Sequence, residues 1–191
     1  MIGLLQSGLI VLAAVGFFAV DTMMSRKYKA QRVTSDRNIL NNIIAVIAAL
    51  ILLAQPIWLP QWGWQPGRPV LVIGLILILS GNGLNFWARR HLGPFYAQHS
   101  RDIQPNHRLI TSGPYRWVRH PIYLAYLVVM AGVLLVAPSI FTLLAAVINW
   151  RYFIRAASVD ERALLKQFPA EYEQYMNQTP RFVPWHKLPS Q

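Results

Sequence analysis

Long uncharged stretches alternate with short basic ones along this chain. No charged side chain occurs in residues 2–20, 39–67, 69–88 or 121–150. A helix of about 20 apolar residues crosses the hydrocarbon of a bilayer, and polar positions here do not recur at the period of a half-buried soluble helix. The pattern therefore predicts membrane-spanning helices. Asp21 follows the first stretch where a signal peptide would have its cleavage site, so we expect a retained helix there.

The fourth stretch is too long for a single membrane crossing. As one helix, residues 121–150 would extend about 45 Å, and Pro138 near the middle allows either one kinked helix or a hairpin of two. Lys and Arg cluster after the first, third and fourth stretches, whereas only Arg68 separates the second from the third. If these clusters share the cytoplasmic side, the fourth stretch crosses twice. We therefore predict an all-α polytopic integral membrane protein of about five transmembrane helices, with a helical hairpin, an outside N-terminus and a cytoplasmic C-terminal region.

Composition and charge point to the lipid bilayer as a partner. Hydrophobic residues make up 54% of the chain and charged residues 13%, against about 25% charged residues in soluble domains. A net charge of +11 suits nucleic acid as well, but the basic residues flank the predicted spans, where topology and anionic headgroups account for them. We therefore expect no nucleic-acid partner. Without cysteine there is no thiolate ligand or nucleophile, and no metal site is expected. The sequence does not determine the oligomeric state.

The chain divides into two predicted regions. Residues 1–88 hold the first three transmembrane helices, and residues 89–191 hold the transmembrane hairpin 121–155 and a C-terminal amphipathic helix. That helix is predicted over residues 159–177, where apolar side chains recur at spacings of three and four, with a break at Pro169. Periodicity alone favours a helix that lies on the bilayer surface.

Two polar stretches on the predicted cytoplasmic side carry the candidate chemistry. The Gly-Pro pair at residues 113–114 predicts a turn. Pro121 suits the first turn of a helix, which places His120 at a helix start, where backbone amides favour negative charge. Asp160 and Glu161 follow the fourth apolar stretch, and such adjacent acids either cap a helix or, close to the membrane, serve a function. A hairpin would bring the two stretches together.

Five short motifs occur in a fixed order across this hairpin. They read His-x-Leu-Ile-Thr-Ser-Gly-x-Tyr from His107, Arg-His-Pro-x-Tyr from Arg119, Asp-Glu-x-x-Leu-x-x-x-Phe from Asp160, Glu-Tyr-x-x-Tyr from Glu171 and Arg-Phe-x-Pro from Arg181. Together they resemble the isoprenylcysteine carboxyl methyltransferase family and its prokaryotic relatives. The resemblance covers residues 86–185, about half of the chain.

The resemblance implies an enzyme that binds S-adenosylmethionine within a membrane-embedded fold, and the chain indeed lacks the Gly-x-Gly-x-x-Gly motif of a Rossmann domain. The acceptor would be lipid-like: a prenylcysteine-type carboxylate, a phospholipid amine or a small hydrophobic molecule. The cytoplasmic C-terminal region would bind the cofactor. Its implied contacts are His107, Arg108, Leu109, Ile110, Tyr115, His120, Pro121, Tyr123, Asp160 and Glu161. We further hypothesise three catalytic residues on the acceptor side: Arg155 to hold a carboxylate or phosphate, and Glu161 or His120 to orient an acceptor amine or accept its proton. We expect the inner, cytoplasmic membrane of a prokaryote, with the active site facing the cytoplasm.

Three positions depart from the family pattern. Asp160 replaces the usual Glu, Pro169 replaces a Gly, and Ala156 stands where an acceptor-side Arg usually lies. Arg155 is one residue away, which on a helix is a rotation of about 100°. Two alternatives stay open. One is an NADPH-dependent membrane reductase of the sterol reductase type, which shares the Arg-His-Pro and acidic-pair pattern but usually has Asn where this chain has Ile122. The other is a non-catalytic membrane scaffold.

Overall fold

The computed structural model describes residues 2–27, 65–93 and 108–183, and its regular structure in these ranges is helical. The helices are α1 (Ile2–Lys27), α2 (Arg68–Leu92), α3 (Pro121–Val136), α4 (Ile140–Gln167) and α5 (Pro169–Gln178), with a 3₁₀ turn at Gly113–Arg116. The all-α prediction is confirmed for these residues. The predicted helix in residues 39–67 lies almost wholly outside them, so the total of five spans and the sidedness of the termini stay predictions.

Two of the described helices, α2 and α4, are long and apolar enough to cross a membrane. The apolar helix α3 and residues 5–20 of α1 are shorter. Large aliphatic side chains face outward on both long helices, among them Val72 and Ile76 on α2 and Leu144 and Ile148 on α4. Outward aliphatic faces of this kind are what lipid contact requires, because lipid tails are as apolar as the side chains themselves.

Glycines set the close packing of α2 against α3. A Cβ atom at Gly74 would lie 2.7 Å from Val136 Cγ2 and 3.0 Å from the carbonyl oxygen of Gly132, so only glycine fits this crossing. Ile78 on α2 is fully buried in the same interface. Helices in membranes associate through small residues that let their backbones approach. The interface therefore fixes the position of α3, which carries His120 at its start.

Helix α1 joins this core through polar groups as well as apolar ones. Ile10 and Ala13 belong to the buried cluster, and Gln6 donates from Nε2 to the carbonyl oxygen of Val136 at 2.9 Å. A Cβ at Gly16 would lie 2.6 Å from Asn82 Oδ1, so the glycine makes room for this side chain on α2. These contacts hold α1 against both other helices of the core.

The predicted hairpin is present at Pro138. Helix α3 ends at Val136 and α4 begins at Ile140. Ser139 caps α4 by accepting from the backbone N–H of Thr142 at 3.2 Å, and the Thr142 hydroxyl donates to the carbonyl oxygen of Ala137 at 2.7 Å. The rings of Tyr126 and Phe153 stack with centroids 5.0 Å apart, which shows that α4 returns alongside α3.

The predicted separate helix beginning at residue 159 is wrong at its start. Helix α4 continues without interruption from Ile140 to Gln167, because no Pro or Gly occurs in this range. Asp160 and Glu161 therefore lie inside a helix and do not cap one. The predicted break is confirmed, since α5 begins at Pro169. At 28 residues, α4 is about 42 Å long, and its C-terminal part extends past a hydrocarbon layer of about 30 Å.

Candidate functional site

Three segments meet at the N-terminal end of α3: the turn that precedes α3, the last turns of α4, and residues 179–183 after α5. The backbone N–H of Arg119 donates to the carbonyl oxygen of Pro180 at 2.9 Å, and that of His120 donates to the carbonyl oxygen of Arg181 at 3.2 Å. As predicted, His120 is the residue before the first turn of α3, and Pro121 occupies that turn. The last described residues of the chain thus lie directly against the start of α3.

A buried carboxylate, that of Glu161, lies at the centre of this meeting point. Arg119 donates to its Oε1 atom from Nε at 3.1 Å and from Nη2 at 2.9 Å, and His120 Nε2 lies 3.1 Å from the same oxygen. Arg181 pairs with both oxygens of the carboxylate. Burial of a charge is costly unless partners compensate it. These partners hold Glu161 as an ionised carboxylate that is 5% exposed.

Arg119 also closes the end of α5. Its Nη1 atom donates to the carbonyl oxygens of Met176 at 3.0 Å and Thr179 at 2.5 Å. The last carbonyls of a helix have no partner within the helix and favour positive charge. One guanidinium thereby connects α4, through Glu161, to the end of α5.

Asp160 has a different environment from its neighbour Glu161. It is half-buried, and its Oδ2 atom accepts from the Tyr123 hydroxyl at 2.6 Å. The Tyr123 ring stacks on His120, with centroids 5.5 Å apart and planes at 6°, and on Phe153 at 5.2 Å. Among the described residues, Oδ1 of Asp160 accepts no hydrogen bond. This acid therefore has one oxygen available beside a row of aromatic rings.

A second set of contacts fixes the turn before α3. The Tyr175 hydroxyl donates to the carbonyl oxygen of Tyr115 at 2.5 Å. Burial raises the pKa of Tyr175 well above its usual range, so the phenol keeps its donor proton. Gly113 starts the turn with φ +61°, a left-handed conformation that favours glycine, and the ring of His91 occupies the space where a Cβ would be. The Gly-Pro turn predicted at residues 113–114 is confirmed.

The structure brings together most of the predicted site residues that it describes. His120, Pro121, Tyr123, Asp160 and Glu161 meet at the start of α3, and Tyr115 is buried in the adjoining turn. Leu109 and Ile110 are half-buried and Arg108 is exposed in the segment that leads into this turn. His107 lies outside the described residues.

Arg155 does not join this cluster. It is exposed on the outer face of α4, whereas Ala157 and Glu161 on the same helix are buried. Neighbouring residues on a helix point about 100° apart, so Arg155 and the family's usual position, here Ala156, face different directions. Its predicted role at the acceptor stays a prediction.

Arg119, Arg181 and Tyr175 are site residues for which the sequence predicted no role. All three occur inside the recognised motifs, but the motifs do not say which acid or carbonyl each one faces. One weak signal in the sequence could have indicated that the two arginines pair with an acid. A buried acid needs cationic partners, and one motif before the acidic pair and one motif after it each begin with an Arg.

Sequence comparison identifies relatives of this chain. The sequence profile of the phospholipid methyltransferase family matches residues 69–171, which is more than half of the chain. A protein-S-isoprenylcysteine O-methyltransferase from Schizosaccharomyces pombe is 32% identical over 80 residues, covering 41% of this chain and 34% of that protein. The Xenopus laevis enzyme of the same name is 30% identical over 118 residues, covering 61% and 41%. The Saccharomyces cerevisiae enzyme is 25% identical over 188 residues, covering 93% and 79%.

The fold has a counterpart among solved structures. The eukaryotic intramembrane Ras methyltransferase, an isoprenylcysteine carboxyl methyltransferase, superposes with a TM-score of 0.65 at 20% identity over 93% of this chain and 68% of that one. The present chain spans 34% and 41% of the lengths of the S. pombe and Xenopus relatives. The profile match over residues 69–171 shows that the chain belongs to the phospholipid methyltransferase family.

Proposed function

We propose that this protein is an S-adenosylmethionine-dependent membrane methyltransferase that acts on a lipid-like acceptor at the cytoplasmic face. The observation that carries the proposal is the half-buried carboxylate of Asp160, held at 2.6 Å by Tyr123 beside stacked aromatic rings. A sulfonium cofactor with an ammonium group and ribose hydroxyls suits such a site. Aromatic faces attract cations, and a carboxylate pairs with an ammonium or accepts from hydroxyls.

The residues present fit this cofactor chemically. Oδ1 of Asp160 accepts no hydrogen bond from the described residues, so it is available to a donor on the ligand. Tyr115 and His120, which the family resemblance also assigns to the pocket, lie in the turn and helix start that adjoin it. S-adenosylmethionine supplies an electrophilic methyl group, so the transfer is an in-line displacement that needs alignment more than acid–base help.

The protein's own contribution is alignment and exclusion of water. Tyr123 and Asp160 fix one side of the site, and the Glu161 cluster fixes the other by joining α4 to the residue before α3. Held in this way, reacting groups gain up to about 7–11 kcal/mol relative to reactants free in solution. His120 would orient an acceptor or receive its proton. Glu161, whose oxygens are already held by Arg119, His120 and Arg181, would keep His120 in place.

The acceptor class is the less defined part of the proposal. The relatives' names favour a prenylcysteine-type carboxylate, whereas the family description favours a phospholipid amine. A carboxylate acceptor calls for a guanidinium, and Arg155 would supply it from the outer face of α4, at the level where that helix leaves the bilayer. A small hydrophobic molecule is the third option.

Calorimetric titration of S-adenosylmethionine into the detergent-purified protein tests the cofactor, with NADPH as the competing ligand. We expect binding of S-adenosylmethionine and at least a tenfold loss of affinity in Asp160→Asn, because a charge-assisted contact contributes about 1.5–3 kcal/mol. Glu173→Gln, an exposed change on α5, is the matched control. Heat of binding from NADPH alone, with folded protein, would establish the reductase alternative instead.

Lipid extracts from cells with and without the protein identify the acceptor by mass spectrometry. The expected result is a lipid-like species heavier by one methylene, which Asp160→Asn abolishes. Binding of S-adenosylmethionine without any such product, in cells or with added acceptors, would favour the scaffold alternative.

A further inference from the structure

The imidazole of His120 is hydrogen-bonded to the protein at one nitrogen and lies against two aromatic rings, one stacked and one tilted. Nε2 lies 3.1 Å from Glu161 Oε1. The ring stacks on Tyr123 and lies 5.9 Å from the Phe182 ring, between centroids. Only 7% of the residue is exposed. A ring held in this way has little freedom to rotate, so the two nitrogens have fixed surroundings.

The surroundings of Nε2 determine which nitrogen carries the hydrogen. An ionised carboxylate is only an acceptor, and Arg119 and Arg181 keep Glu161 ionised. Nε2 must therefore donate. Two guanidinium charges already face the single carboxylate. In a neutral imidazole whose Nε2 donates, the other nitrogen is an acceptor.

We propose that Glu161 is a positioning residue that holds neutral His120 as the Nε2–H tautomer and so makes Nδ1 a hydrogen-bond acceptor at the start of α3. Nδ1 then accepts an N–H or O–H donor of the bound ligand. The ligand part of this inference rests on the proposed function, whereas the tautomer is a property of the protein alone. The proposal also gives the two acids different roles: Asp160 contacts the ligand, whereas Glu161 acts through His120.

Nuclear magnetic resonance of protein labelled with ¹⁵N in histidine measures the tautomer directly. The chain has five histidines, and the loss of one signal in His120→Gln assigns the resonance. In the detergent-solubilised, ligand-free wild-type protein we expect the Nε2–H pattern at neutral pH. A wild-type spectrum with the Nδ1–H pattern, or with a protonated ring, would overturn the proposal without reference to any variant.

Glu161→Leu tests whether the carboxylate is the cause. Leucine removes the acceptor of Nε2, so the protein no longer holds the hydrogen on that nitrogen. We therefore expect a clear Nδ1–H contribution to the His120 signal in this variant, with a lower affinity for S-adenosylmethionine. Glu161→Gln is the conservative control: three guanidinium N–H groups and Nε2 all point to the Oε1 position, so the amide oxygen should occupy it and keep the Nε2–H tautomer. An unchanged His120 signal in folded Glu161→Leu would refute the positioning role.

Asp160→Asn is the matched comparison, since it alters the neighbouring acid. It should leave the His120 tautomer as in the wild type while weakening S-adenosylmethionine binding. This pairing keeps the two proposals apart. If neither Asp160→Asn nor Glu161→Leu changes ligand binding but Glu161→Leu still alters the His120 tautomer, the proposed function fails and the positioning inference stands.

Discussion

The packing of α2 on α3 gives a sharp test because two glycines on the same helix have opposite surroundings. A Cβ at Gly81 would lie 2.6 Å from Val129 Cγ2, 2.9 Å from the carbonyl oxygen of Ala125 and 3.0 Å from the backbone nitrogen of Val129. A Cβ at Gly83 would meet nothing within 4 Å. Carbon atoms in contact prefer about 3.5–4.0 Å, so Gly81→Ala requires the two helices to separate, whereas Gly83→Ala does not.

The expected size of the effect follows from two opposing terms. Overpacking costs about 1–3 kcal/mol, and the upper half applies at Gly81 because two of the three nearest atoms are backbone and cannot rotate away. Replacing Gly with Ala in a helix returns about 1 kcal/mol. We therefore expect Gly81→Ala to be less stable by about 1–2 kcal/mol, which corresponds to a Tm lower by about 2–8 °C for a chain of this length.

Thermal unfolding in detergent, followed by intrinsic fluorescence, measures both variants under one condition. Gly83→Ala should melt at the wild-type temperature or slightly above it. The reasoning is refuted if Gly81→Ala melts as high as Gly83→Ala, since the close approach of α2 and α3 would then not constrain this position. Because α3 carries His120 and Tyr123, affinity for S-adenosylmethionine should also fall in Gly81→Ala but not in the control.

Three further substitutions test the site itself. Tyr123→Phe removes the donor to Asp160 and should weaken S-adenosylmethionine binding by about tenfold or more, as loss of a hydrogen bond to a charged group does; calorimetry measures this. Arg155→Gln should raise the KM for an anionic acceptor several-fold and leave cofactor affinity unchanged, in a methyl-transfer assay with saturating cofactor. Arg119→Lys should lower stability by about 2–3 kcal/mol, because three donors on one ammonium nitrogen cannot replace the four bonds that the guanidinium makes from three nitrogens to Glu161 and two carbonyls.

Each of these substitutions has a matched control nearby. Tyr152→Phe and Arg116→Lys change exposed residues and should behave as the wild type. Arg162→Gln, on the exposed surface of α4, should leave the acceptor KM as it is. Equal effects of Tyr123→Phe and Tyr152→Phe would contradict a specific role for the Tyr123–Asp160 bond, and an Arg155→Gln enzyme with unaltered KM would place the acceptor elsewhere.

Patterns that depend on local chemistry were predictable from the sequence. Pro138 and the charge distribution together predicted the hairpin. A proline interrupts a helix and basic residues set the side of the membrane, and neither effect depends on how distant residues pack. The Gly-Pro turn at residues 113–114 and the helix start at Pro121 followed in the same way. The start of the last amphipathic helix was not predictable from periodicity, because α4 changes from lipid-facing to polar surroundings at residue 151 without any break in the backbone.

The sequence could not predict which arginines pair with Glu161, for a different reason. The motifs contain Glu161 and the arginines that bind it, but these residues lie 20 and 42 positions apart along the chain. Several arginines in the same motifs were equally available by charge. Only the return of α4 along α3, and the path of the chain after α5, bring Arg119 and Arg181 to this carboxylate while leaving Arg155 exposed.

The roles of adjacent residues depend on the rotation of α4 about its own axis. Each step along a helix turns the side chain by about 100°, which separates buried Glu161 from half-buried Asp160 and exposed Arg155 from half-buried Ala156. The Asp-Glu motif alone does not determine this rotation, because it does not show which of the two adjacent acids is buried. It is set instead by the buried positions Phe153, Ala157 and Glu161, which recur every four residues and face α3. Shifting α4 by one residue would keep every motif yet exchange the two acids, so the pairing of Tyr123 with Asp160 is a consequence of helix packing that must be preserved for the site to exist.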